Sequence, residues 1–416
     1  MKSSEIYDCI VVGGGASGMM AAGVAAENGK RVLILEKNQS LGEKLKITGG
    51  GRCNITNAEE DLRTLLKSYD SSADFLFSPF SQFSNKDTFT FFEKLGLPIV
   101  VQARKRAFPE SEKAYDVYQT LKKYIDRGKV EVRLGEAVLK IVRDGSGKNI
   151  ASVKTKDGIY KAKSFIFATG GVSHPETGST GDGFKWLRDL GHEVVNPTPT
   201  IVPLKVPEKW VHELAGVSMS FMKIIFYLDS KKQFSKTGKV LFTHFGLSGP
   251  LILNSSKKVS DLLHSGIVTA KIDAYPDTEL GDLEKKIIKV FDANKNKALK
   301  NVFKDIVPPG MTKGLEMLFK DIDFDTKVHS ITKEERKYIV QTLKALPVTI
   351  SGLMGYDRAV VADGGVVLTE IDTKTMRSKL YNNLYLTGDL LHINRPSGGF
   401  SLQLCWTTGY VAGKNV

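Results

Sequence analysis

Tyr7-Asp-Cys-Ile-Val-Val-Gly-Gly-Gly-Ala-Ser-Gly18, followed by an alanine-rich stretch to Asn28, decides the fold of this chain. An apolar run of strand length enters a tight glycine turn and leaves it as a helix. In that reading Gly13 allows the turn, Gly15 lets the backbone approach a pyrophosphate, and Gly18 lets the helix pack on the strand. Ala16 and Ser17 open the helix, whose first N–H groups face the phosphates. A second strand, Arg31-Val-Leu-Ile-Leu35, delivers Glu36 about 20 residues past the turn, where a carboxylate accepts a hydrogen bond from a ribose 2′-hydroxyl. Lys37 follows as a further nucleotide contact. A glycine fingerprint alone is weak; strand, helix, second strand and terminal acid together are specific. The carboxylate also argues against a 2′-phosphorylated ligand.

Working outward, Gly42-Glu-Lys-Leu-Lys-Ile-Thr-Gly-Gly-Gly-Arg-Cys-Asn54 is rich in groups that bind phosphate or ring carbonyls. Lys44, Lys46 and Arg52 supply charge, and Thr48, Gly50, Gly51 and Asn54 supply backbone and side-chain donors. Cys53 has no second cysteine at redox spacing, so its thiol is expected to pack rather than shuttle electrons, while its position in the loop is counted with the cofactor-binding residues. Between Lys129 and Gly171 short strands follow one another around an Asp157-Gly158 turn. Ala137 and Val138 are assigned to the cofactor, as are Ala168, Thr169 and Gly170 at the end of a buried strand. At the far end, Asn383-Leu-Tyr-Leu-Thr-Gly-Asp389 and Pro396-Ser-Gly-Gly-Phe400 are expected to return to the same site. A strand running into Gly388-Asp389 resembles the way flavoproteins of the glutathione-reductase type bring the end of the chain back to the flavin, which would make Gly388 and Asp389 the ribityl contact and put Gly398, Gly399 and Phe400 at the flavin edge. The helix beginning there would aim its N-terminus at that edge. Leu402, Leu404 and Trp406 read as packing.

At 416 residues, two or three domains are expected. Three scattered cysteines give neither a disulfide framework nor a metal pattern, and a cytoplasmic location is expected. The apolar stretch from Cys9 to Ala26 fits a strand-turn-helix unit better than a signal sequence, and no transmembrane span is found. The formal charge of +13 is spread along the chain. Pro197, Pro199, Pro203 and Pro207 mark a boundary, after which strand-like segments run to about residue 275 and lysine-rich helices to about 345.

Several blocks run in order over nearly the whole chain: Val11 to Gly18, Lys46 to Asn57, Phe108-Pro109, Ala168 to Gly171, Gly178 to Gly183, Phe242 to Pro250, Ala359 to Val366, Lys374 to Lys379 and Gly388 to Gly413. Together they resemble the HI0933-like (YhiN-type) flavoproteins, relatives of the aminoacetone oxidase and bile-acid dehydroxylation flavoproteins. The resemblance implies an α/β fold with a discontinuous, glutathione-reductase-type Rossmann domain from residues 1–195 and 346–416. It also implies an inserted β-barrel-like domain, 196–275, with return strands near 330–350, and a small helical domain, 276–345. Asp389, His392, Phe400-Ser401 and Ala362 depart from the family pattern.

Residues and resemblance jointly imply non-covalent FAD and a flavin oxidoreductase that moves two electrons at the flavin N5 on a small organic or steroid-sized substrate. NADH or NADPH would be a transient donor, since only one dinucleotide fingerprint is present, and oxygen is an equally permitted acceptor. His244, His392, Arg106 and Arg395 are the candidate catalytic groups, with His174 another: histidine moves protons near neutral pH, and arginine holds a carboxylate or polarises a carbonyl. No metal is expected. The alternative is an RNA-binding or tRNA-modifying flavoprotein using its basic surface, against which the diffuse lysines count.

Overall fold

The computed structural model of the chain describes residues 6–416. Two units emerge. One comprises the chain up to Pro199 together with Val360–Val416, and the other is Thr200–Ala359.

The first unit is built on a seven-stranded sheet. Its strands β1 (Ile6–Val12) and β2 (Val32–Glu36) are buried almost throughout, as apolar runs covered on both faces must be. Short β3 (Thr56–Asn57), β4 (Ile99–Gln102) and β5 (Arg106–Pro109) form a separate antiparallel sheet in the order β3-β5-β4. β6 (Glu131–Leu134), β7 (Lys140–Arg143), β8 (Ile150–Lys154) and β9 (Ile159–Phe167) complete the main sheet in the order β6-β2-β1-β9-β8-β7, and Leu384–Leu386 joins it parallel to β9. The fold is therefore α/β with a Rossmann-type core, as the opening motif predicts.

Two helices hold this unit together. The first, Ala16–Glu27, carries small and apolar residues all round, with Glu27 at its end its one charge, so it is buried rather than amphipathic. The C-terminal helix, Phe400–Lys414, packs along it. Their approach is close enough that a Cβ on Gly409 would lie 2.6 Å from the Ser17 carbonyl oxygen, and one on Gly413 2.3 Å from that of Ala21. A buried polar network fixes the same helix from the other side: Gln403 accepts from Thr56 at 2.6 Å and Thr88 at 2.9 Å, and donates to Thr407 at 3.0 Å. Trp406 is fully buried and donates to the Ile55 carbonyl.

In the second unit a seven-stranded antiparallel sheet has as successive neighbours Leu346–Ile350, Val268–Asp273, Ser218–Leu228, Lys231–Thr243, Gly246–Ser248, Leu204–Lys205 and Gly352–Leu353. The lysine-rich stretch does form helices, among them Leu280–Ala293 and Lys333–Lys344, the latter started by a capping box between Thr332 and Glu335. Two sequence expectations change here. The strands and helices, assigned to separate domains, share one core in which Phe226, Trp210 and Phe242 are grouped with Phe291, Phe303 and Leu343. Residues 346–359, inside the bounds given to the nucleotide-binding part, belong to this unit: Leu346–Ile350, at the end of the range where return strands were expected, pairs with Val268–Asp273, from Val268–Ile350 to Ile272–Leu346. Its alternating burial was hidden by Pro347 in the middle of the strand.

Candidate functional site

Register places the site. Val12 pairs with both Leu35 and Phe167, Glu36 with Leu134, and Leu386 with Phe167. The carboxyl ends of five parallel strands thus lie along one edge, and the segments that leave them are the ones the sequence singled out: Gly13–Gly18, Glu36–Lys37, Gly135–Val138, Ala168–Gly170 and Gly388–Asp389. In open parallel sheets that edge is where ligands bind. The two chain ends meet there, since a Cβ on Gly388 would lie 3.1 Å from the Ser17 hydroxyl.

The glycine turn divides into closed and open positions. A Cβ on Gly13 would sit 2.6 Å from the Ala168 carbonyl oxygen, so strand-to-strand closeness requires glycine there. At Gly15 a Cβ would meet nothing within 4 Å, which leaves a bare stretch of backbone at the helix start. Glu36 is buried and accepts from the Gly14 N–H at 2.7 Å and the Asn38 N–H at 2.8 Å. Burial pushes its carboxyl up, against those two bonds. Each carboxylate oxygen keeps acceptor capacity beyond the bond it makes. The Glu136 N–H bonds the Glu36 carbonyl at 2.9 Å, which brings Ala137 and Val138 alongside.

A charged cluster lies at the same edge. Arg395 is buried; its guanidinium bonds the Asp389 carboxylate, the Ile393 carbonyl at 2.8 Å and the Ser401 hydroxyl at 3.1 Å. Burial alone would raise the Asp389 carboxyl, but Arg395 and Lys44 outweigh it and hold it below the usual range. Lys44 donates to Ser173 at 3.2 Å, and burial pushes its ammonium down, with Asp389 opposing. One carboxylate between two cations leaves the cluster net positive, suited to an anionic group.

Several of the expected residues have protein partners in the structure. Arg395 is tied to Asp389, Ile393 and Ser401. Lys37 is committed to Asp182 at 2.8 Å and to Thr180. Arg52 pairs with Glu112 and lies 4.5 Å over the Phe108 ring, because the loop folds it against β5. Asn54 bonds the Ala107 and Thr56 carbonyls and the Gly399 N–H when its amide is oriented to satisfy both ends. Phe400 is buried edge-on against Tyr69, centroids 5.7 Å apart. Cys53 is buried and its thiol pushed up by burial. The Gly398-Gly399 pair also has a structural cause: a Cβ on Gly399 would fall 2.3 Å from the Thr56 carbonyl carbon. Gly398 is roomier, its nearest neighbour being the Phe400 ring at 3.5 Å. The turn of Thr48 and Gly49–Gly51 closes on itself, with Cys53 N–H bonding the Thr48 carbonyl, while a Cβ on Gly50 or Gly51 would meet nothing.

The remaining candidates separate. His392 is half-buried in the first unit with Nε2 3.5 Å from Asp363 Oδ1. His174, in a left-handed conformation, pairs with Glu176 at 2.8 Å. His244 is an exposed turn residue of the second unit, packed on Phe245. Arg106 lies on β5, partly buried. Ser173 and Asn57, which donates to the Gly398 carbonyl at 3.3 Å, were not foreseen; Asn57 lay within a quoted motif but carried no charge to mark it.

The family model for the HI0933-like protein Rossmann domain matches residues 7–415. Over 407 residues the chain is 29% identical to a 3-dehydro-bile acid delta(4,6)-reductase of Clostridium scindens, covering 97% of each protein. Over 412 residues it is 26% identical to a ribosomal RNA dihydrouridine synthase of Escherichia coli, covering 99% of this chain and 98% of that one. Among solved structures, a flavocytochrome c3 fumarate reductase in an open conformation superposes with a TM-score of 0.57 at 17% identity, over 100% of this chain and 78% of that one, a likeness of fold.

Proposed function

The chain belongs to the HI0933-like family, and from that premise we propose that it is an FAD-dependent oxidoreductase that saturates a carbon–carbon double bond conjugated to a carbonyl in a small organic or steroid-sized molecule. Two relatives matched over nearly their full lengths support the reaction class: one is named for reducing ring double bonds of a 3-keto bile acid, the other for converting uridine to dihydrouridine. The observation that carries the cofactor is the convergence of Gly15, Glu36, Lys44 and Asp389 on one sheet edge, with bare backbone at Gly15 and a net positive cluster beside it.

In this reading Gly15 to Ser17 offer helix N-terminal N–H groups to the pyrophosphate. Glu36 takes the adenosine ribose with its remaining acceptor capacity, and Val138 and Ala137 flank the adenine. Lys44 balances phosphate charge, while Arg395 orients Asp389 toward the ribityl hydroxyls. When bound, the flavin supplies two-electron transfer at N5. The chain's own residues bind, orient and exclude water. His392 would be the group that holds a proton, a reading supported by the Asp363 carboxylate beside it.

The test is anaerobic mixing of the purified protein with NADH or NADPH, then with a neutral or carboxylated enone, following flavin absorbance. Bleaching by a nicotinamide and recovery with the enone are expected; bleaching with recovery only in air would replace the reductase reading with an oxidase. The RNA alternative rests on the charge of +13 and the second relative's name, and it requires salt-dependent binding of ribosomal RNA.

A further inference from the structure

The small β3-β5-β4 sheet carries a charge that its surroundings leave unanswered. Arg106 stands opposite Asn57 on one side and Gln102 on the other, so the three side chains share one face. Asn57 reaches the Gly398 carbonyl at 3.3 Å, and Gln102 accepts from Arg52 at 2.8 Å. Arg106 therefore sits between the C-terminal glycine turn and the Arg52 side chain. The acids of this neighbourhood are already committed, Glu112 to Arg52 and Gln102, and Glu59 to Lys105 at 2.6 Å. Among the described residues the Arg106 guanidinium has no carboxylate or hydrogen-bond partner, although it is partly buried. Burial, then Arg104 and Arg52, push its ionisation down, the mark of a cation short of an anion.

A half-buried guanidinium with five donors and no acceptor is costly unless a ligand completes it. We propose that Arg106 is a substrate-binding residue that takes the oxygen of the unsaturated substrate, a carboxylate or a conjugated carbonyl, at the face of this sheet beside Gly398. The assignment rests on the flavin reading above, in which Gly398 borders the flavin edge. Asn57 and Gln102 stand beside Arg106 on the two neighbouring strands, and Asn57 ties this face to the glycine turn, so the oxygen would bind on the face that borders that turn. A fork of parallel N–H groups binds a carboxylate in two bonds and a carbonyl in one, so carboxylated substrates should bind more tightly.

The test uses the purified full chain and three probes: crotonate, 2-cyclohexenone and, as a control without the anionic group, crotonamide. Two readouts are followed, the flavin absorption spectrum and the thermal midpoint, in the wild type, Arg106→Gln and Arg106→Lys. Crotonate should perturb the spectrum and raise the midpoint of the wild type. In Arg106→Gln its dissociation constant should rise about ten- to a hundredfold at unchanged flavin content. Arg106→Lys should recover part of the loss, and crotonamide and cyclohexenone, each offering one carbonyl oxygen, should respond less than crotonate. If crotonate binds Arg106→Gln as tightly as wild type, or if neither crotonate nor cyclohexenone moves either readout in the wild type, the proposal is overturned. A protein that holds no flavin but shows an Arg106-dependent midpoint shift would sink the flavin reading and leave the anion site standing.

Discussion

Glu36 and Gly399 show how far a single residue can be read. Glu36 was legible because its place at the end of the second strand is fixed by the turn before it, and the structure adds that its carboxylate also ties Gly14 and Asn38 together. Glu36→Gln replaces one acceptor oxygen by an NH2 that faces an N–H donor. The apoprotein should lose about 1–3 kcal/mol of stability, and FAD affinity should fall as well. Urea titration of the apoprotein and an FAD titration check the two effects separately; unchanged affinity would move the ribose contact elsewhere. Gly399 was legible as important, and the structure adds a cause that the sequence did not show. The sequence suggests a helix N-terminus aimed at a flavin, whereas the nearest obstacle to a side chain is the Thr56 backbone. Since its φ is 99°, Gly399→Val is strained twice over, and loss of soluble protein is expected rather than an altered potential in a folded one. A folded, flavin-loaded Gly399→Val would contradict this. His192 escaped notice altogether because its partners are distant in sequence: it is buried, with Nδ1 2.6 Å from Glu370 and Nε2 3.0 Å from Ser378. Burial lowers its pKa, and Glu370 opposes. The folded state thus favours the neutral ring, whose stabilisation is present above the unfolded value of about 6.5 and is lost as pH falls through the lower folded value. Urea midpoints at pH 7.5 and 5.5 should differ more in wild type than in His192→Gln; equal differences would deny His192 that role.

At the scale of elements, what could be read were patterns with a short period or a fixed spacing: the first strand-turn-helix unit, the strands ending at Ala168 and Leu386, and the lysine-rich helices. What could not be read was pairing at long range. Leu346–Ile350 joins a strand some 80 residues earlier, and nothing local in Leu-Pro-Val-Thr-Ile names that partner. The C-terminal helix lies between these cases, since Leu404 and Trp406 read correctly as packing while the Thr56–Gln403–Thr407 network that fixes its depth required the fold. Its closeness to the first helix depends on missing side chains. Gly413→Val would place an atom 2.3 Å from the Ala21 carbonyl oxygen and push the helices apart. We expect a loss of about 1–3 kcal/mol in denaturant titration, with weakened FAD binding because the Ser17–Gly388 contact moves with the helix. A variant as stable as wild type would show that the helices accommodate a larger separation.

For the whole molecule, the chain ends form one unit around the sheet edge and the middle forms another with its own core. Every residue assigned to FAD lies in the first unit, so ligand binding should stabilise that unit directly, by an amount that grows with the logarithm of FAD concentration over its dissociation constant. The diffuse charge, which the sequence could only count, bears on partners rather than on this site. The central claim is that this edge holds FAD without a covalent bond, and chromatography of what acid releases from the purified protein tests it most directly. We predict close to one FAD per chain, restored when FAD is added back to the apoprotein; release of no FAD, together with no uptake of added FAD, would contradict the account.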